Sequence, residues 1–292
     1  IVFRILVDVY VDENPEEKKS ITYNPVSGSK KVIIVGFGPG GMFAALKLIE
    51  LGIKPIIVER GKDVQERRRD IRAIQQDHIV NPNSNYCFGE GGAGAYSDGK
   101  LYTRATKRGD IKKIIDILIQ HGADPEIGVD THPHIGSNKL PKIVAAIRQT
   151  ILDNGGEIHF NSKVDDFILN DSKIVGVKIN SSQEVFADAV ILATGHSARD
   201  IYYLLNKKKI RIDPKPFAMG VRIEHPQALV NEMRYHTKEL HPNLPAAGYT
   251  LVTDVEERGV YSFCMCPGGI IVPAATAPGE IVVNGMSLSK RN

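Results

Sequence analysis

The chain has 292 residues, 42% of them hydrophobic and 24% charged, enough for one large or two ordinary globular domains with a sizeable core. Its net charge of +3 gives no basis for nucleic-acid binding, and its three cysteines make no disulfide framework. No stretch approaches the ~20 apolar residues of a membrane span and no signal peptide is evident, so a cytoplasmic protein is expected.

In chain order, Phe3, Ile5, Val7, Val9 and Val11 alternate with more polar neighbours and predict a half-buried strand. The chain opens there, at Ile1 rather than Met, and residues 284–292 close no element, so it reads as a piece of something longer. Residues 12–30 are polar, carry Pro and Ser, and read as a linker.

Residues 32–59 carry the strongest signal. An apolar strand runs into Gly36, Gly38 and Gly41, which fit G-x-G-x-x-G. An apolar helix pattern follows, and a second apolar strand ends in Glu59. Strand, tight turn, helix and strand are the context a dinucleotide fingerprint requires. Gly36 turns the chain off the strand, Gly38 leaves room for a pyrophosphate, and Gly41 lets the helix pack against the sheet. The helix N-terminus offers N–H groups to phosphates, and Glu59 offers acceptors to a ribose hydroxyl.

Asp63 to Ile79 is expected as a helix with Asp63 as its cap. The run Glu66-Arg67-Arg68-Arg69-Asp70 within it reads as a solvated face. From Asn81 to Leu101 periodicity vanishes, and Gly89 to Gly99 holds five glycines in eleven residues. Further helices are expected from about Asp110 to His121 and from Lys139 to Asp153, the latter ended by Gly155. Short strands follow at 157–160, 164–169, 174–179 and 184–186, with a turn at Asn170-Asp171-Ser172, then a buried strand from Ala189 into Gly195. Beyond Lys208 helix signals fade. Strands are expected at 217–224, 249–253, 260–265, 270–272 and 280–286.

An N-terminal βαβ unit, a later β-meander and a strand ending in Ala193-Thr194-Gly195 resemble FAD-dependent oxidoreductases of the glutathione-reductase-like class. Six words narrow the resemblance: Asn85-Tyr86-Cys87-Phe88-Gly89-Glu90-Gly91-Gly92-Ala93-Gly94, Ser97-Asp98-Gly99-Lys100-Leu101, Pro133-His134-Ile135-Gly136, Gly195-His196-Ser197-Ala198-Arg199-Asp200, Gly220-Val221-Arg222-Ile223-Glu224-His225-Pro226 and Phe263-Cys264-Met265-Cys266-Pro267-Gly268-Gly269. They resemble a family of bacterial FAD-dependent proteins, the NAD(FAD)-utilising dehydrogenases.

That resemblance implies an α/β fold, an FAD/NAD(P)-binding Rossmann-like three-layer domain with an inserted, mostly β second domain. Residues 1–29 would be the end of a preceding small domain plus linker, 30–212 the FAD-binding domain, and 213–292 a β-rich substrate domain. The ADP half of FAD would lie on Gly36, Gly38, Pro39, Gly40, Gly41, Glu59 and Arg60. Val164 would reach adenine through its backbone. Gly91, Gly92, Ala93, Ser97, Asp98, Gly99 and Lys100, with Ala193, Thr194, Gly195, His196 and Arg199, would frame the flavin half.

Several words carry two readings. His196 and Arg199 either face the cofactor or begin a helix, with Ser197 as its cap and Arg199–Asp200 as a surface pair. His132 and His134 are either loop histidines or flavin-proximal groups, and no ligand cluster supports zinc. Cys264 and Cys266 alternate on an expected strand and read first as buried small hydrophobes. With no dithiol after the fingerprint, disulfide-reductase chemistry is disfavoured.

No second fingerprint stands between a strand and a helix. NAD(P)H is therefore expected only as a transient electron donor, and a small molecule as the substrate. The expected function is an FAD-dependent oxidoreductase transferring a hydride through flavin. The alternative is a non-redox FAD or nucleotide protein with a structural or sensing role. An NAD-only dehydrogenase is disfavoured by the loop at 89–99, for which it has no isoalloxazine.

Overall fold

A computed structural model describes residues 7, 9–13, 20–103, 109–262 and 265–291. Its centre is a parallel sheet of β1 (Lys31–Val35), β2 (Lys54–Val58), β3 (Glu157–His159) and β7 (Ala189–Leu192), in the order β3-β2-β1-β7. β1 and β2 are nearly continuous Val and Ile, and each buries four of its five residues. Such runs are covered on both faces, as parallel strands are.

The alternation of side chains then decides which layer each residue meets. Ile34 and Ile57 pack with Leu46 of α1 (Pro39–Glu50) and with Ile143, Ile147 and Ile151 of α4 (Leu140–Asp153). Ile33, Val35, Ile56 and Val58 face the other way, onto Val164, Phe167, Val177 and Ile179. Those four belong to the antiparallel meander of β4 (Val164–Asn170), β5 (Lys173–Ile179) and β6 (Gln183–Phe186). Helices, parallel sheet and meander make the three layers of a Rossmann-like α/β fold. Each fully buried Ile or Val is worth about 1.5–3 kcal/mol, so this interior supplies most of the apolar stabilisation.

Flanking elements follow their local signals. α3 (Ile111–Gln120) is capped by Asp110, whose side chain accepts from the Lys113 N–H at 2.9 Å. Asp63 accepts from the N–H groups of Gln65 and Glu66, but regular helix begins only at Arg67, in α2 (Arg67–Asp77). Residues 21–26 lie against the helical layer: Ile21 exchanges hydrogen bonds with Gln120, and the Val26 N–H donates to the Asn154 carbonyl. Among the described residues, no helix is long and apolar enough to cross a membrane.

Some expectations are corrected. Val7, Val9 and Val11 are exposed and form no strand, while Phe3 and Ile5 lie outside the described residues. Residues 217–224 form no strand either. The C-terminal region holds one helix the sequence did not signal, α6 (Gln227–Tyr235), and two hairpins: β8 (Val252–Val255) with β9 (Arg258–Tyr261), and β10 (Ile270–Pro273) with β11 (Val283–Met286). α6 was missed because its buried face is small: Val230 is its one buried residue.

Candidate functional site

The turn after β1 is shaped by three glycines with separable roles. Gly36 has φ +100°, and a Cβ there would lie 2.6 Å from the Ala193 carbonyl oxygen. A Cβ on Gly41 would lie 2.0 Å from the Gly36 carbonyl oxygen, so this glycine sets the approach of α1 to the sheet. Gly38 is different. Its first neighbour, Gly92 Cα, is 3.8 Å from where a Cβ would stand, so the protein itself leaves that space open.

Glu59, at the end of β2, is only 4% exposed. Its Oε2 accepts from the Phe37 N–H at 2.7 Å, and its Oε1 accepts from Gly61 at 2.8 Å and Gly89 at 3.0 Å. One carboxylate thus ties together the fingerprint turn, the end of β2 and the glycine-rich loop. Oε2 retains a second acceptor direction for a hydroxyl.

Between these elements lies a cavity of about 440 Å³. It brings together Gly36, Gly38, Pro39, Gly40, Glu59 and Arg60 with Gly92 and Ala93, Val164, and Ala193, Thr194, Gly195 and His196. Its size is that of a small-molecule or cofactor site. The N-terminus of α1, with no side-chain cap, opens onto it through Gly38, Pro39 and Gly40.

Seven expected residues lie outside the cavity. Gly41 serves the helix packing just described. A Cβ on Gly91 would lie 2.8 Å from that of Ala95, and one on Gly99 2.7 Å from Leu140 Cδ1. Ser97 accepts from the Gly99 N–H and donates to the Gly94 carbonyl within its own loop. Asp98 is buried and receives the Ser287 hydroxyl and the Arg291 guanidinium, the latter at 2.8 Å. Lys100 pairs with Asp98 at 3.5 Å and forms an isolated bridge with His134. Arg199, at the start of α5 (Arg199–Lys207), reaches Glu280 and Thr276. Ser197 does not cap α5, and Arg199 and Asp200 turn to different partners.

The cavity is also lined by residues outside the expected cofactor set, including Cys87, Phe88, Gly89, Ser162, Lys163 and Asp200. Asp200 joins Arg60 at 3.0 Å and Lys163 at 3.4 Å. Burial by itself would raise its carboxyl pKa, but the two cations hold it below the ordinary value. The Arg60 guanidinium also lies over the Phe88 ring, 4.4 Å from its centre.

Arg67 is the largest surprise. It is fully buried, not part of a solvated face. It donates to the carbonyls of Asn85, Tyr86 and Glu90 at 2.8, 2.6 and 2.7 Å, and so pins the glycine-rich loop. Only the positions of its acceptors, 18–23 residues away, distinguish it from Arg68 and Arg69.

Residues 216–292 match the family model described as FAD-dependent protein, C-terminal domain-like. That match lies in the last quarter of the chain. An uncharacterized protein from Clostridium beijerinckii is 44% identical over 282 residues, covering 96% of this chain and 52% of the relative. The chain therefore spans about half the length of that relative. A thiamine thiazole synthase from Methanococcus vannielii is 24% identical over 75% of each chain. Among solved structures, THI4 from Thermovibrio ammonificans is similar at 18% identity, covering 62% of this chain and 64% of that one, with a TM-score of 0.42. FAD is the cofactor in that model's description, and the open Gly38 position beside an uncapped helix N-terminus fits its pyrophosphate.

Proposed function

We propose that this chain is the FAD-holding part of an FAD-dependent oxidoreductase that transfers a hydride to or from a small-molecule substrate in the cytoplasm. The observation that carries the reading is the single cavity in which the fingerprint turn, Glu59, Gly92–Gly94, Val164 and Ala193–His196 meet. Bound FAD would supply the hydride acceptor or donor, so no catalytic side chain is needed.

The chain's own residues bind and orient. The N–H groups of the first turn of α1 meet phosphate oxygens, with the open Gly38 position giving close access. Glu59 takes a ribose hydroxyl through the acceptor direction its backbone partners leave open. Arg60, Lys163 and Asp200 form a charged wall beside Val164, where adenine would rest. Val35 and Val58 add apolar side chains to the cavity lining. The region from 213 onward covers the substrate side, and NAD(P)H acts as a transient electron donor.

The test is direct. The purified chain, incubated with FAD and desalted, should keep a flavin spectrum that anaerobic NADPH or NADH bleaches. A chain that stays colourless after FAD removes the reading. A chain that holds FAD which neither nicotinamide reduces belongs to the non-redox alternative.

A further inference from the structure

Three segments that are distant in sequence meet at His134, outside the cavity. Residues 98–101 and 133–136 run antiparallel, with Lys100 opposite His134. The Leu101 N–H donates to the Pro133 carbonyl at 2.9 Å, and the Ile135 and Gly136 N–H groups donate to the Gly99 and Asp98 carbonyls at 3.1 Å. A strap after β11, residues 287–291, closes over both segments. The Ser137 N–H donates to the Ser287 carbonyl at 3.0 Å, the Ser289 N–H donates to the Asn138 side chain at 2.9 Å, and Arg291 reaches the buried Asp98 at 2.8 Å. A Cβ on Gly136 would lie 2.3 Å from the Ser289 nitrogen, so the strap rests directly on this turn. Each side leaves one polar atom unserved. His134 Nε2 and Arg291 Nε are both buried without a hydrogen-bond partner among the described residues.

We propose that His134 is an acid-operated latch: neutral, it lets the strap at 287–291 lie closed over the loop at 97–101, and protonated, it releases the strap. An imidazolium must donate from both ring nitrogens, and Nε2 is buried with no acceptor. Among the described residues, four charged groups surround the ring. Arg291 on the strap repels an imidazolium; Asp98 on the loop and Asp130 on the ring's own segment attract it, as does the Ser289 backbone. Lys100, opposite on the loop, pairs with Asp98 at 3.5 Å. Asp98 is thus already shared by Lys100, Arg291 and the Ser287 hydroxyl. Burial first and Arg291 second prevail, and they hold the His134 pKa below its ordinary 6.5. The closed strap is therefore at full strength above pH 6.5 and weakens as pH falls from there toward the folded value. Opening takes Arg291 away and lets water reach the ring. His132 is the internal contrast: it is exposed and stacks on Tyr102, with ring centres 4.7 Å apart.

Amide hydrogen exchange of the whole chain reads the latch without any cofactor or substrate. Exchange is followed by mass spectrometry at about pH 7.5 and about pH 5.5, each corrected for the intrinsic effect of pH on exchange. Residues 287–291 and 97–101 should exchange at least about threefold faster in acid, while β1 and β2 keep their protection. His134→Gln, neutral at both pH values, should abolish the acceleration, and His132→Gln should leave it intact. Should His134→Gln fail to fold by circular dichroism, exchange of the imidazole C2 hydrogen in the parent chain decides. His134 titrating below 6.5 there supports the latch, and titrating at or above 6.5 overturns it. A strap equally protected at both pH values, an acceleration that survives His134→Gln, or one shared equally by β1 and β2 also overturns the proposal.

Discussion

Residues 31–207 and residues 213–291 obey different rules of assembly. In the first region, both faces of the parallel sheet and the stripes of α1 and α4 are buried in two apolar clusters. In the second, Val230, Ala247, Val272, Ala274 and Ala275 are the buried hydrophobics among the described residues. Phe217, Met219 and Val221 stand 85, 91 and 90% exposed. The second region joins the first through Val272 and Ala274, which enter the apolar cluster of α1 and α4, and through polar contacts: Arg291 and Ser287 on Asp98, Ser289 on Asn138, and Glu280 on Arg199. A typical hydrogen bond contributes about 0.5–1.5 kcal/mol net, against about 1.5–3 for a buried Leu or Ile. The first region is therefore the stable scaffold, and the second is a clasp laid across its loops and held by few apolar residues.

The largest test of that contrast is Arg67→Met. It removes three donors from buried carbonyls in the scaffold and should cost roughly 3–5 kcal/mol, read as a lower urea midpoint for the sheet region. A loss under about 1 kcal/mol would mean that the loop at 85–90 holds itself. Asp98→Asn comes next. It leaves the Arg291 guanidinium facing a neutral group and should cost roughly 2–3 kcal/mol, confined to the clasp. Hydrogen exchange should speed up at 285–291 and 97–101 while β1 and β2 stay protected. Equal acceleration in the sheet would show the two regions to be one cooperative unit.

The same contrast explains what the sequence made legible. The fingerprint and Glu59 form one local unit: the turn, its helix and the next strand are contiguous, and each glycine's role is set by its immediate neighbours. The three layers were expected only from the family resemblance, because β1 and β2 are continuous apolar runs whose sequence does not say which positions face which layer. The roles of Asp98 and Arg199 were not legible. Their partners are Arg291 and Glu280, 193 and 81 positions away, and nothing in the local pattern names them. Arg67 hid in a charge run for the same reason. The expected strand at 217–224 failed because alternation predicts a strand only where a neighbouring strand supplies the ladder.

Gly38→Ala separates binding from folding inside the scaffold. A Cβ there first meets Gly92 at 3.8 Å, so stability should change by less than about 0.5 kcal/mol. FAD affinity should fall at least about tenfold, equivalent to about 1.4 kcal/mol, because the new methyl occupies the space beside the first turn of α1. Gly41→Ala is the control with the opposite outcome: its Cβ would lie 2.0 Å from a carbonyl oxygen, so it should lose the fold rather than FAD alone. Unchanged FAD titration in a well-folded Gly38→Ala chain would move the pyrophosphate away from this turn.

The smallest effect expected is in acid, and it stays in the scaffold. The Asp200 carboxyl is held below its ordinary pKa by Arg60 and Lys163, which outweigh the opposing effect of burial. A folded-state pKa below the unfolded value of about 3.9 stabilises the fold above that pH, and the gain disappears as pH falls through the folded value. The Asp200 side chain is 35% exposed, so solvent screening keeps the gain below about 1 kcal/mol. Asp200→Asn should therefore be slightly less stable than the parent at neutral pH, and the difference should close below about pH 4. Urea unfolding at both pH values measures it. Because Arg60, Lys163 and Asp200 wall the cavity beside Val164, FAD affinity should lose its acid sensitivity in the variant to the same small extent. A difference that persists in acid would assign the effect to shape at the cavity wall rather than to charge.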